Sequence, residues 1–138
     1  MPALDTVEVP AEREKAGGRV RTKGQVEAEI SKAMVRFERE QLGRGPADIR
    51  TQIVQDMVII RMADMLTPAE RALVRAGGME LLKQVRTKLL DTEREPLNRM
   101  LKAATGCEVI SMYNDLCSQT GERLIVFILR ECPEMRWQ

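Results

Sequence analysis

The tetrapeptide Gly43-Arg44-Gly45-Pro46 is the segment whose residue types are best suited to binding an anion. Its glycines let the backbone approach a ligand closely, and the planar guanidinium of Arg44 matches a carboxylate, bicarbonate or phosphate. Arg50 supplies a second donor if the loop folds back. The alternative is a structural turn, in which Gly43 ends a helix and Pro46 leads into a strand. The segment is not a P-loop, because the lysine and hydroxyl pattern of that motif is missing.

Arginine recurs on or beside segments that read as strands, at Arg44, Arg50, Arg61 and Arg123. If the sheet turns these side chains to one open face, they form a surface for an anion or a partner protein. Chance scatter along the chain is the competing interpretation. We also expect Arg123 to pair with Asp115 across a hairpin.

Carboxylates and thiols offer a second kind of chemistry. Asp56 and Asp115 are predicted near the ends of two hairpins, where they could meet on one rim and hold a cation. Turn chemistry explains both more simply, and a magnesium or calcium site needs more oxygen ligands than the local sequence provides. We therefore predict no metal site and no cofactor. Cys117, near a hairpin connection, is the thiol best placed for catalysis, and only Arg123 is near enough in sequence to lower its pKa.

The chain contains no histidine. Catalytic triads that depend on an imidazole are therefore excluded, as is an imidazole acid or base near neutral pH. We favour a binding function over catalysis. An enzyme with a carboxylate or thiol site at a subunit interface is the first alternative.

Composition narrows the class of protein further. The 138 residues suit one domain, with 43% apolar and 31% charged residues and a net charge of +1. No long-range field recruits nucleic acid, and the few aromatic residues make a stacking platform improbable. A nucleotide- or RNA-binding domain is the second alternative.

The sequence also predicts where the protein is found. No apolar run has the roughly 18 residues of a membrane span, and no signal core is visible. The cysteines form no CxxC pair, so we predict a cytoplasmic protein.

Periodicity and capping signals predict the order α-β-β-α-α-β-β. The predicted elements are a helix over 22–42, strands over 48–54 and 57–62, helices over 67–77 and 79–104, and strands over 107–116 and 123–130. A kink or break is expected near Glu95, because Pro96 lies inside the long helix.

The predicted fold class is α+β, a four-stranded antiparallel sheet of two hairpins with helices packed on one face. The open face and edges favour a homodimer. Residues 1–20 and 132–138 are predicted tails around a domain at 21–131.

The sequence resembles the MpsC-like family of bacterial proteins. The resemblance rests on Thr22-Lys23-Gly24-Gln25-Val26-Glu27-Ala28-Glu29-Ile30, Phe37-Glu38, Gly43-Arg44-Gly45-Pro46, Arg50, Asp56-Met57-Val58, Leu66-Thr67-Pro68-Ala69-Glu70, Val85-Arg86, Asp115, Thr120-Gly121-Glu122-Arg123 and Val126-Phe127. It implies a small accessory or regulatory protein of a membrane system linked to inorganic-carbon supply or membrane potential. Such a protein would act through contact with a membrane-protein partner. The charged N-terminal extension and the Cys-Pro-bearing end depart from the family pattern.

Overall fold

The computed structural model describes residues 21–63 and 65–133. The predicted N-terminal tail, residues 1–20, and residues 134–138 of the predicted C-terminal tail lie outside this range. The elements are α1 (Lys23–Leu42), β1 (Asp48–Val54), β2 (Met57–Ala63), α2 (Pro68–Arg75), α3 (Met79–Thr92), α4 (Arg94–Thr105), β3 (Val109–Leu116) and β4 (Arg123–Leu129). The predicted α+β class and element order are confirmed.

Two capping boxes determine where α1 and α2 begin. The hydroxyl of Thr22 accepts the N–H of Gln25, and the Gln25 side chain accepts the N–H of Thr22 in return. Thr67 and Glu70 make the same reciprocal pair at the start of α2. Each box satisfies N–H groups that a helix start would otherwise leave without a partner.

The long helical pattern is broken where the proline predicted a break. α3 ends at Thr92, Glu93 lies between the helices, and α4 begins at Arg94. Pro96 is the third residue of α4, in the first turn, where its missing N–H costs no intrahelical hydrogen bond. The proline therefore restarts the helix rather than kinking it.

The four strands form one antiparallel sheet in the order β1-β2-β4-β3. Both predicted hairpins are present, and β2 and β4 pair in the centre. Because β2 and β4 are antiparallel, the β1–β2 turn and the β3–β4 connection lie at opposite ends of the sheet. The N–H of Leu129 bonds to the carbonyl of Asp56 at one end, and that of Met65 bonds to the carbonyl of Gly121 at the other.

The helices cover one face of the sheet, and the core lies between them. Side chains from α1, such as Ile30 and Met34, and from the central strands, such as Ile60 and Phe127, are fully buried there. Leu101 closes the core from α4. The opposite face carries the other set of alternating side chains and is left open by these helices.

Candidate functional site

A basic groove runs along the outer side of α1, next to the edge strand β1. It has a volume of about 360 Å³ and is lined by Ser31, Lys32, Val35, Arg36, Arg39 and Ile49. Lys32, Arg36 and Arg39 lie four and three residues apart, so they share one side of the helix. Among residues 21–63 and 65–133, no carboxylate forms an ion pair with any of the three. The groove therefore presents three cations above a floor that includes Val35 and Ile49.

The predicted anion-binding loop, Gly43 to Pro46, supports one end of this groove. Gly43 ends α1 in the left-handed region, with φ of 79°, and its N–H bonds to the carbonyl of Arg39 at 2.8 Å. A Cβ on Gly45 would lie 3.3 Å from Nε of Arg39 and 3.3 Å from Cγ1 of Val35. Glycine at 45 thus lets the Arg39 side chain lie against the loop.

The side chain of Arg44 is not among the residues that line the groove. Its NH1 donates to the carbonyl of Leu66, 3.3 Å away, on the segment that leads into α2. This contact ties the end of α1 to the start of the helix layer. Arg44 therefore makes a structural contact, whether or not it also binds a ligand.

Arg50 and Arg61 are neighbours on the open face of the sheet. They face each other directly across β1 and β2. Arg50 lies 3.4 Å from Asp48, and Arg61 donates from Nε and NH2 to Oε2 of Glu122 at 3.0 and 2.7 Å. Both pairs are exposed, so each contributes well under about 1 kcal/mol to stability.

The expectation that Arg123 shares this face is wrong. Arg123 is 3% exposed and points into the helix-covered side, where its NH1 lies 3.6 Å from Oε2 of Glu38. Strand alternation is the reason, because Arg123 has the same parity as the buried Ile125 and Phe127. The four arginines do not converge on one surface.

Arg123 instead belongs to a buried cluster of four charges, formed with Glu38, Arg86 and Glu70. Nε and NH2 of Arg86 each donate to a different oxygen of Glu70, both at 2.7 Å. NH2 of Arg86 also donates to the carbonyl of Met65, and Arg123 lies 3.5 Å from the carbonyl of Arg86. The cluster joins α1, α2, α3 and β4, and its two positive and two negative charges balance.

The two carboxyl groups of the cluster have opposite pKa shifts. Burial raises the pKa of Glu38 above its ordinary value, and the opposing effects of Arg123 and Arg86 do not cancel it. Burial also acts to raise the pKa of Glu70, but hydrogen bonds from Arg86 and Thr67 outweigh it and the pKa is lowered. The difference follows from hydrogen bonding: Glu70 accepts a bidentate pair, whereas Oε2 of Glu38 has no hydrogen-bond partner among the described residues.

The two aspartates predicted to share a rim lie at opposite ends of the sheet. Asp56 is in the β1–β2 turn, whereas Asp115 is next to the β3–β4 connection. Five residues of strand separate these levels, from Asp56 to Arg61, or roughly 17 Å. Asp115 pairs with Lys83 at 3.0 Å rather than with Arg123, so the predicted cross-hairpin pair is also wrong. The N–H of Leu116, and then Lys83, lower the pKa of Asp115.

Cys117 and possible metal ligands are the remaining candidates of the sequence analysis. Cys117 is exposed, and the hydroxyl of Thr120, followed by the N–H groups of Thr120 and Gln119, lowers the pKa of its thiol. Arg123, the residue expected to act on this thiol, is buried on the other side of the sheet. Within residues 21–63 and 65–133, no three carboxylate or thiol side chains come together to hold a metal.

The groove and the cluster both escaped the sequence analysis, although the sequence held a signal for the cluster. Glu38 lies four residues after Met34 and eight after Ile30, on the buried stripe of α1. Arg86 lies midway between the buried Leu82 and Leu90 on α3. A charge at such a position must be paired or neutralised.

Comparison with known proteins finds one matching family profile and a bacterial relative. A family profile described as "Na+-translocating membrane potential-generating system (MpsC)" matches residues 22–131. The uncharacterised protein YbcI of Bacillus subtilis strain 168 is 40% identical over 110 residues, which covers 79% of this chain and 89% of the relative. No solved structure matches the chain significantly. None of the helices in the described ranges combines the length and the apolar character needed to cross a membrane.

Proposed function

The chain belongs to the MpsC family, and on that premise we propose that it is an accessory binding protein of a membrane system linked to membrane potential or inorganic-carbon supply. Its partner is a protein of that system, and the contact is made by an acidic segment of the partner in the basic groove of α1. The observation that carries this proposal is the groove itself: Lys32, Arg36 and Arg39 face one depression without a carboxylate partner among the described residues.

The chemistry of the groove favours an acidic peptide over a lone small anion. Three cations spread over two helical turns match several carboxylates along a chain better than one compact ligand. Val35 and Ile49 add apolar contact between the charges. The groove is open, so a segment can lie along it without a conformational change of the helix.

The edge strand beside the groove is not the binding element. Oε2 of Glu27 accepts the N–H of Ile53 at 2.8 Å, and the hydroxyls of Ser31 and Thr51 are 2.7 Å apart. Glu27 thus occupies one backbone N–H of β1, and the Ser31–Thr51 contact holds α1 against the strand, so we expect a bound segment to contact side chains of α1 rather than add a strand to the sheet.

A titration with a defined probe tests the proposal. Fluorescence anisotropy would follow a labelled ten-residue oligoglutamate peptide added to the full chain at low and at physiological salt. The double variant R36E/R39E is expected to bind at least about tenfold more weakly, since each lost charge contact is worth on the order of 1 kcal/mol or more. The control R75E/K88E makes the same change of net charge on exposed parts of α2 and α3 and is expected to bind like the wild type.

Equal loss in both double variants would mean that net charge, not the groove, attracts the peptide, and the site would be wrong. Binding to vesicles with anionic lipids but not to the peptide would replace the protein partner with a membrane surface. A photo-reactive amino acid at Val35, followed by mass spectrometry of cross-linked products from cell membranes, tests the partner's identity. Absence of any membrane-system protein among those products would contradict the accessory role.

A further inference from the structure

The open face of the sheet carries three rows of side chains that run across all four strands. In the order β1, β2, β4, β3, the rows are Val54, Met57, Ile128 and Ser111, then Gln52, Ile59, Val126 and Tyr113, then Arg50, Arg61, Leu124 and Asp115. Val54 is 41% exposed, Tyr113 62% and Leu124 37%. The centre of this face is apolar, whereas the solvent side of an antiparallel sheet is ordinarily polar.

We propose that a second copy of this chain covers the open face, forming a twofold-symmetric dimer of stacked sheets. This proposal is independent of the groove, which lies on the opposite, helix-bearing side. The occupant follows from the pattern of the three rows, because reversing their order brings Arg50 opposite Asp115 and brings the apolar side chains of the two central strands opposite each other in two of the rows.

The row with charges shows this self-complementarity most clearly. A twofold axis that lies between the two sheets and runs parallel to the strands places β1 of one copy over β3 of the other. Arg50 then faces Asp115 of the second copy, and Arg61 faces Leu124. The two Arg50–Asp115 pairs form at both ends of the row, and opposite charges meet across the interface.

The other two rows obey the same operation. In the central row Gln52 meets Tyr113 of the second copy, and Ile59 meets Val126. In the row that begins at Val54, Met57 meets Ile128 at the centre, whereas Val54 meets Ser111 at each end. Sheets stacked in this way keep their strands within about 30° of each other, so the rows remain close to alignment.

The alternative twofold axis, perpendicular to the strands, is disfavoured by the same rows. It would lay the charged row over the apolar row, with Arg50 above Val54 and Arg61 above Met57. Neither guanidinium would then meet a carboxylate of the second copy, and burying a charge without such a contact is unfavourable. The parallel axis gives Arg50 this contact with Asp115, while Arg61, opposite Leu124, keeps its own hydrogen bonds to Glu122.

The edges of the sheet do not offer an equal route to a dimer. On β1, Glu27 occupies the backbone N–H of Ile53, and Ser31 holds α1 beside this strand through the hydroxyl of Thr51. On β3, the register shifts between Val109 and Ser111, and such an irregularity hinders pairing with another strand. The face offers roughly 400 Å² of projected area per copy for four strands of this length, or about 800 Å² for the pair, which is below the size of most specific interfaces. We therefore expect a dimer that dissociates in the micromolar range.

Two charge reversals test the interface. Sedimentation equilibrium of the full chain, from the micromolar to the millimolar range, is expected to show a monomer–dimer equilibrium. R50D places carboxylates against Asp115 of the second copy, and D115R places guanidinium groups against its Arg50, so each variant alone is expected to be at least about tenfold weaker in dimerisation. An equimolar mixture of the two variants is expected to regain dimers, because each interface pair then joins opposite charges.

The mixture separates this arrangement from every other one. K88E, on the exposed side of α3, is the control and is expected to dimerise like the wild type. Circular dichroism and thermal melting show whether each single variant is folded. A wild-type monomer at all concentrations overturns the proposal, as do single variants that dimerise like the wild type or a mixture that stays monomeric.

Discussion

Oε2 of Glu38 lies 3.6 Å from NH1 of Arg123, inside the layer between α1 and the sheet. Both side chains are almost fully buried, at 1% and 3% exposure. The separation is longer than a hydrogen bond, so the pair attracts across a short gap without the directional contact that would compensate burial. Arg86 and Glu70, by contrast, meet in full bidentate geometry. The Arg86–Glu70 half is therefore held by hydrogen bonds, with only NH1 of Arg86 lacking a partner among the described residues, whereas the Glu38–Arg123 pair is held by charge attraction alone.

The Glu38–Arg123 contact makes stability depend on pH in a definite direction. Burial raises the pKa of Glu38, so the folded protein retains a proton that the unfolded chain has lost. The contribution of protonated Glu38 to the free energy of unfolding is complete below the ordinary pKa of 4.5 and is lost as pH rises through the raised pKa. Urea unfolding of E38Q at a series of pH values is expected to lack this fall above the ordinary value.

The control for this measurement is E40Q, on the exposed side of the same helix. It is expected to keep the pH profile of the wild type. Glu70 acts in the opposite direction, because its lowered pKa stabilises the fold above the ordinary value and the effect is lost as pH falls below it. A profile of E38Q that runs parallel to that of the wild type would mean that Glu38 is ionised throughout.

The position of Arg123 shows where sequence reasoning reached its limit. From Arg123 to Leu129, β4 has apolar residues on both faces, so alternation does not reveal which face is buried. Arg123 looked like a surface residue only because it is charged. What decides its position is register: it lies opposite Met62 and Leu116, which both face the helices. Register with neighbouring strands is a tertiary property that one strand's sequence does not contain.

Removing the other arginine of the cluster is expected to be severely destabilising. R86M keeps most of the apolar stem but leaves the carboxylate of Glu70 and the carbonyl of Met65 without their donor. Breaking a buried pair in this way costs about 3–5 kcal/mol, with the lower end expected because Glu70 is partly exposed. Urea unfolding measures the loss. K88M, two residues along on the exposed side of α3, is the control, with an expected change below about 0.5 kcal/mol.

Arg44 is expected to contribute to stability through its bond to Leu66. R44A removes a donor to that carbonyl, at a cost of about 1 kcal/mol. Chemical denaturation measures this change, and anisotropy with the oligoglutamate peptide measures binding in the same sample. A stable R44A that has lost binding would instead assign Arg44 to the ligand, as the loop composition suggested at first.

The fold was predictable because local signals agreed with one another. The capping residues Thr22 and Thr67 marked the helix starts, and Pro96 marked a break close to the observed one at Glu93. The groove was less accessible. Its cations were visible as polar residues of α1, but their lack of carboxylate partners depends on which side of the helix meets β1. That contact is set by packing, not by helical periodicity alone.

Two substitutions in the Gly43–Pro46 loop are expected to affect binding and stability separately. In G45A the new methyl group would lie 3.3 Å from Nε of Arg39, so the side chain must move and the groove changes shape. We expect weaker binding of the oligoglutamate peptide. The free energy of unfolding should stay within about 1 kcal/mol of the wild type, because the long arginine side chain can move aside at little cost.

G43A is the matched control, with the opposite expected effects. Its φ of 79° is strained for alanine, at about 1–2 kcal/mol, yet no atom lies within 4 Å of the added methyl group. It is therefore expected to lose stability and keep its affinity, and a G45A that binds like the wild type would remove Arg39 from the site.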